Sequence, residues 1–307
     1  MRELWGSPDI WNAKKSYIEI AAKLDVDEET VRNRVKHLRD IGFLLGYRLV
    51  PNPILLGFSF TSLRIEFKDR ETKQAATPRL VQMDGVINIA STYDRSVLVT
   101  LFAREGHDFS KSMVGLEVDG EISLVPGLGL MTTKFRMTRL DWEIVNLLLR
   151  DAERKLDEVA NLLKVSARTV KRRLNIMMKG AAIFTMPIVD LRKTEGISYQ
   201  LRVKSEQGKI SEVEKSVIAK ITNLVFRAPD SQNGLFFGFT GANVAEGTEI
   251  LEWVKSQPGV KSAEMTITES VVQVFDWLES EVQRQSATGQ ALDQTIVRKM
   301  RETVAML

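Results

Sequence analysis

The stretch ETVRNRVKHLRDIGFLLGY, Glu29 to Tyr47, is answered later in the chain by RTVKRRLNIMMKGAAIF, Arg168 to Phe184. Thr30 and Thr169 occupy the same point of the two stretches, 139 residues apart. The same offset aligns Val26 with Val165, Val31 with Val170, Arg34 with Arg173 and Val35 with Leu174, and sets IEIAAKL (Ile18–Leu24) on DEVANLL (Asp157–Leu163). A period of this size is too long for a solenoid repeat and implies duplication of a domain-sized unit. In the first copy a short helix is expected around Ser16–Val26, with Ile18, Ala21, Ala22 and Leu24 inward. Asp27 is a natural N-cap for a second helix. There Val31, Val35 and Leu38 recur at i, i+4 and i+7 and mark one buried face, and Gly42–Phe43 ends it. Helix, tight turn and a second helix with basic residues on its free side make a helix-turn-helix. LLGYRLV then reads as a strand, the start of a wing, before the turn at Pro51–Pro53. The second copy adds a complete preceding helix, RLDWEIVNLLLR (Arg139–Arg150), where the first has only MRELW.

Between the copies the pattern changes. FSFTSLRIEF (Phe58–Phe67) alternates as a half-buried strand, and ETKQAATPRLVQM (Glu71–Met83) is helical, with Pro78 expected to interrupt it. GVINIASTY and SVLVTLFA are strands joined by a turn at Asp94–Arg95; DFSKSMVGLE (Asp108–Glu117) is expected to be a helix and ISLVPGLGLMTTKF (Ile122–Phe135) a strand. The order is βαββαβ, a ferredoxin-like unit. It returns after the second helix-turn-helix, from ISYQLRVKS (Ile197–Ser205) to VKSAEMTITES (Val260–Ser270). Beyond it, Val271–Gln285 is expected to continue as helix, and ALDQTIVRKMRETVAML (Ala291–Leu307) to form a last helix whose apolar stripe suits a core or oligomer contact.

The 307 residues suit several small domains. A hydrophobic fraction of 44% supplies their cores, and a net charge of only +3 means that any nucleic-acid surface is a local patch. The absence of cysteine excludes disulfides, thiolate nucleophiles and Cys-ligated metals. No run of 18 apolar residues suggests a membrane span and the N-terminus does not read as a signal peptide, so a cytoplasmic protein is expected. No Ser-His-Asp order, paired-carboxylate motif or metal-ligand spacing stands out. PGLGLM (Pro126–Met131) lacks the Lys-Ser/Thr of a phosphate loop. GFTGAN (Gly238–Asn243) reads as a helix cap. The two histidines are His37, on an exposed helix face, and His107, in a loop.

TVRNRVKHLRDIGFLLGY followed by NPILLG (Asn52–Gly57) and a βαββαβ unit resembles the Lrp/AsnC family of transcription regulators. The resemblance covers roughly residues 1–270. It implies an α+β chain of two winged helix-turn-helix domains (1–50 and 138–190) alternating with two ferredoxin-like domains of the RAM type (51–137 and 191–270), plus a C-terminal helical extension (271–307). Family members dimerise through the linker and sheets, form ring-like assemblies and bind small effectors such as amino acids between the sheets. The resemblance therefore implies an intramolecular pseudo-dimer in this chain, with further homo-oligomerisation through the sheets or the C-terminal helix. It points to Tyr93, Asp94 and Ser96 in one unit, and Asp230 and Asn233 in the other, as effector-binding candidates, although neither turn matches the family's Gly and Asp pattern cleanly.

The two second helices differ in charge. Residues 28–40 hold four basic side chains against three acidic ones, whereas residues 167–179 hold five basic and no acidic. Lys and Arg neutralise phosphates, Arg reads guanine edges and Asn reads adenine. Arg168, Thr169, Lys171, Arg172, Arg173 and Lys179 are therefore expected to supply most of the affinity for double-stranded DNA. Thr30, Arg32, Asn33, Lys36 and His37 would add weaker or more selective contacts. Arg34 and Arg173 lie at the edge of the core stripe, as structural residues or as phosphate clamps at the rim. The expected function is a DNA-binding regulator without cofactor or catalytic activity. The alternatives are a non-specific architectural DNA-binding protein and a siroheme-decarboxylase-like enzyme, a group that relies on histidine-rich motifs not seen around His37 or His107.

Overall fold

Ser16 opens the first helix, α1 (Tyr17–Leu24), with a capping box: its hydroxyl accepts from the Glu19 N–H at 3.2 Å, and the Glu19 carboxylate accepts from the Ser16 N–H at 3.0 Å. Asp27 caps α2 (Glu28–Asp40) by accepting from the Thr30 N–H at 2.5 Å. These elements belong to a computed structural model that describes residues 16–104, 120–125, 133–194, 196–221, 223–229 and 234–288. MRELW, DFSKSMVGLE and the Ala291–Leu307 stripe lie outside the described residues. Ile20, Ala21, Val31, Val35, Phe43 and Leu44 form the core of the first head. Ala21 and Leu24 face inward as expected, but Ile18 is 64% exposed and Ala22 is exposed, with Tyr17 and Ile20 inward in their place. Two helical turns fit two phases, and Tyr17, Ile20, Ala21 and Leu24 supply more apolar surface than Ile18 and Ala22.

The second head has three helices, α4 (Arg139–Leu148), α5 (Leu156–Leu163) and α6 (Ala167–Lys179). The strand after each helix-turn-helix, β1 (Leu44–Pro51) and β6 (Ile183–Val189), does not form a separate wing hairpin. The two pair antiparallel with each other, Leu49 facing Thr185 and Val50 facing Phe184. Their buried apolar side chains find a better partner in each other than in solvent. Asn52, fully buried, pins the end of this ribbon: its Nδ2 donates to the Ala181 carbonyl at 2.8 Å and its N–H to Ala182 at 2.8 Å.

The remaining strands form one antiparallel sheet. In the first half these are β2 (Ser59–Phe67), β3 (Val86–Thr92), β4 (Ser96–Ala103) and β5 (Gly120–Val125), with α3 (Arg70–Val81) between β2 and β3. In the second half they are β7 (Ile197–Ser205), β8 (Leu224–Pro229), β9 (Gly234–Gly241) and β10 (Val260–Gln273), with α7 (Ile210–Lys220) and α8 (Val244–Lys255). The strand order is β5-β2-β4-β3-β10-β7-β9-β8. β10 joins the halves. Its first part pairs with β7, from Val260 to Thr268, and its last part with β3, from Thr268 to Gln273, across an irregularity between Thr268 and Ser270. Leu63, Ile65, Val97, Val99 and Leu80 centre one core, and Tyr199, Leu201, Phe237, Phe239 and Val254 the other.

Two local expectations change. Val271, Val272 and Gln273 are strand, not helix, because they complete the ladder with Ala90, Ile89 and Asn88. The helix α9 starts only at Asp276 and runs to Thr288. Pro78 does not interrupt α3. Thr77 Oγ1 donates to the Lys73 carbonyl at 2.9 Å, and buried Ala76 and Leu80 hold the helix on both sides of the ring. α9 sends Phe275, from just before it, with Leu278 and Val282 into the second head's core. Each such burial is worth about 1.5–3 kcal/mol. The Trp277 indole donates to the Val86 carbonyl at 2.7 Å, fastening the helix to the sheet.

Candidate nucleic-acid interface

α6 starts at Ser166, whose hydroxyl accepts from the Thr169 N–H at 3.1 Å. Val170, Leu174 and Met177, at i, i+4 and i+7, are buried. The opposite face carries Arg168, Lys171, Arg172, Asn175, Ile176 and Lys179, all exposed and spaced as one stripe along the helix. α6 contains no acidic residue, and no ion pair engages Arg168, Lys171, Arg172 or Lys179 among the described residues. Arg168 stands in the first turn, at the positive end of the helix dipole, where a cation is disfavoured. An anion placed there would meet both the dipole and the guanidinium.

Arg173 belongs to a different arrangement. Its Nε donates to Asp141 Oδ1 at 2.6 Å and its Nη2 to Asp141 Oδ2. Asp141 is fully buried and also accepts from the N–H and hydroxyl of Thr138, which begins α4. The bidentate pair thus locks α6 to α4, the first helix of its own head. This is the structural role that the edge-of-stripe position had left open.

α2 is less available. Arg32 is paired with Glu28 at 2.5 Å and lies over the Tyr17 ring at 5.4 Å. Glu28 and Glu29 fill the first turn, and Arg39 reaches Glu153 of the second head at 2.5 Å. The Tyr47 carbonyl accepts from the Ala152 N–H at 2.9 Å, so these two contacts add to the β1–β6 ribbon in joining the heads. Thr30 is half-buried at the helix start; Asn33, Lys36 and His37 are exposed.

Of the effector candidates, Asp230 and Asn233 lie outside the described residues. Asp94 closes the β3–β4 turn, accepting from Thr92 Oγ1 at 2.5 Å and the Ser96 N–H at 2.7 Å. Arg64 donates to Asp94 at 3.3 Å and to Ser96 Oγ at 3.0 Å. Burial pushes the Asp94 carboxyl up, but these hydrogen bonds and the Arg64 charge hold it below its ordinary value. Tyr93 is 62% exposed and lies under Arg70 at 5.6 Å.

Beside this turn is a charge cluster that the sequence reading missed. Lys73, 1% exposed, donates to the carbonyls of Thr92 at 2.6 Å and Asp94 at 2.9 Å and to Glu269 at 3.2 Å. Arg70 also donates to Glu269, at 2.6 Å. Glu269 comes from β10, so the cluster bridges the two halves of the sheet. The signal was present: Lys73 shares a helix stripe with Ala76 and Leu80, where an apolar residue is the norm. Among the described residues no group of His, Cys, Asp and Glu could hold a metal ion, and no helix is long and apolar enough to cross a membrane.

The α5–turn–α6 pair held in a three-helix head places this chain among the helix-turn-helix proteins. The profile of the AsnC-type helix-turn-helix domain matches residues 137–178. A regulator of Pyrococcus furiosus, described as an uncharacterized HTH-type transcriptional regulator, is 34% identical over 116 residues, 36% of this chain and 76% of its own length. The HTH-type transcriptional regulator LrpA of Pyrococcus horikoshii is 28% identical over 121 residues, 38% of this chain and 85% of its own length. The chain belongs to the Lrp/AsnC family of transcriptional regulators.

The whole fold has a second likeness. The crystal structure of the siroheme decarboxylase NirDL matches 89% of this chain and 92% of its own, with a TM-score of 0.58 and 14% identity. This corrects the expectation of a chain without catalytic activity. That expectation rested on missing histidine motifs, whereas the fold matched over 89% of this chain is also the fold of an enzyme.

Proposed function

We propose that this protein is a DNA-binding transcription regulator that gains most of its DNA affinity from α6. It is built as two tandem units, each a helix-turn-helix head followed by a βαββαβ ferredoxin-like domain, with bounds near 1–50, 51–137, 138–190 and 191–270. The units act as an intramolecular pseudo-dimer, a reading supported by the β1–β6 ribbon and the β3–β10 seam. The observation that carries the DNA reading is the stripe of Arg168, Lys171, Arg172 and Lys179, free of ion pairs among the described residues, on a helix without one acidic side chain. Phosphate contacts by these side chains release counterions, so affinity falls with salt. Thr169, held by the Ser166 cap in the first turn of α6, joins these contacts, and Asn33, Lys36 and His37 add the weaker contacts of the first head. A small effector such as an amino acid would act at Tyr93, beside the seam.

The test is DNA binding at several salt concentrations. Replacing Lys171 and Arg172 together by Ala is expected to weaken binding and to lower the salt slope by about 2, close to one for each phosphate contact. An unchanged slope overturns the assignment. Protection of a discrete operator supports a regulator, and uniform coverage supports an architectural role instead.

The likeness to siroheme decarboxylase NirDL favours a second reading, in which the chain binds a tetrapyrrole. Titration with iron-uroporphyrin III, followed by absorbance, tests it. A saturable spectral change supports the enzymatic reading, and an unchanged spectrum removes it.

A further inference from the structure

We infer that the DNA site read by this chain is asymmetric: α6 reads one half-site containing an A·T step, and α2 does not read its mirror image. The inference rests on the DNA-binding reading above. In a symmetric dimer two identical helices meet two identical half-sites, and the operator becomes palindromic. Here one chain supplies both helices, and they differ across the whole outward stripe. At the aligned positions Glu29 stands for Arg168, Asn33 for Arg172, Lys36 for Asn175, His37 for Ile176 and Asp40 for Lys179. Arg32 stands for Lys171, but its guanidinium is held by Glu28 and Tyr17. A base sequence that suits one stripe therefore does not suit the other.

The chemistry of the α6 stripe narrows the half-site. Its cations stand at the two ends, Arg168, Lys171 and Arg172 before the middle and Lys179 after it. Between them are the neutral pair Asn175 and Ile176, and Ile176 is 40% exposed. An apolar side chain amid a basic stripe gains nothing from phosphates. In the major groove it meets the one apolar feature of the base edges, the thymine 5-methyl, while an Asn amide pairs with N6 and N7 of adenine. Asn175 and Ile176 together fit an A·T step, flanked by phosphates or guanines that the cations hold. The contacts between Arg39 and Glu153 and between Tyr47 and Ala152 hold the heads against each other, so the first head occupies the neighbouring DNA through Asn33, Lys36 and His37, with no apolar side chain on that stripe to match Ile176.

The experiment is selection of binding sites by the full-length chain from a randomised duplex, followed by thymine-to-uracil replacement in the selected sequence. We expect a motif unlike its own reverse complement. Uracil substitution at one position should weaken binding about fourfold, the worth of one buried methyl-sized group. Ile176→Ala should weaken binding to thymine DNA by a similar factor and leave binding to uracil DNA unchanged, because the contact is already lost there. Ile176 is exposed and outside the core, so the variant keeps the fold, which circular dichroism checks. A palindromic motif, or equal loss on both DNAs in the variant, overturns the inference while leaving DNA binding intact. Absence of binding to any duplex at low salt overturns both this inference and the reading on which it rests.

Discussion

Lys73→Met is the sharpest perturbation of the scaffold. The substitution keeps most of the volume of a side chain that is 2% exposed and removes its ammonium. Three acceptors lose their donor: the carbonyls of Thr92 and Asp94 and the carboxylate of Glu269. Removing one partner of a buried charged arrangement costs about 3–5 kcal/mol. Glu269 is 32% exposed and keeps Arg70, so the lower end, about 3 kcal/mol, applies. That cost falls on the β3–β10 seam. The reporter is hydrogen exchange of the seam amides, among them Tyr93, whose N–H donates to the Ile267 carbonyl at 3.0 Å. A local loss of about 3 kcal/mol raises their opening roughly 100-fold, while amides of the β7–β9 ladder keep their rates. Seam amides that exchange at wild-type rates in the folded variant would refute the assignment of Lys73 as the clasp between the halves.

Two further predictions concern ion pairs. Burial pushes the Glu269 carboxyl up, but the hydrogen bonds and charges of Lys73 and Arg70 hold it below its ordinary value. A depressed pKa gives stability that is present above the ordinary glutamate range and lost as pH falls through the lowered value, so Glu269→Gln should flatten the acid limb of a thermal-stability profile. Arg173→Met removes the partner of fully buried Asp141 and should destabilise the second head by about 3 kcal/mol, read by thermal unfolding; a stability within experimental error of wild type would return Arg173 to the DNA-facing group.

Much of this architecture was legible in the residues. The 3.6-residue spacing of Val31, Val35 and Leu38, repeated by Val170, Leu174 and Met177, defined α2 and α6 and left the basic stripe on the free face of α6. The failures have physical causes. α1 is two turns long, and its phase was decided by packing rather than by pattern. Val271–Gln273 is too short a stretch to separate strand from helix; its state depends on β3, far away in sequence. The β1–β6 ribbon pairs strands from different copies, and no local pattern encodes a distant partner. Buried lysines are too rare for a pattern to signal Lys73, and the role of Arg173 depends on Asp141, a partner distant in sequence. Motifs do not report on a shared fold, so the likeness to an enzyme's architecture was not legible in the residues.

The long reach of β10 and of the linker ribbon has a consequence for biosynthesis. Leu49 waits for Thr185, and Ile89 waits for Val272. Until those residues leave the ribosome, the nascent first half carries two strand edges with unpaired backbone groups, one at β1 and one at β3. Such edges invite pairing with other chains, and non-local pairing is slow to form. Synthesis of this protein therefore passes through a window in which its finished half is aggregation-prone, and a chaperone that shields strand edges would raise its yield more than one that acts after release.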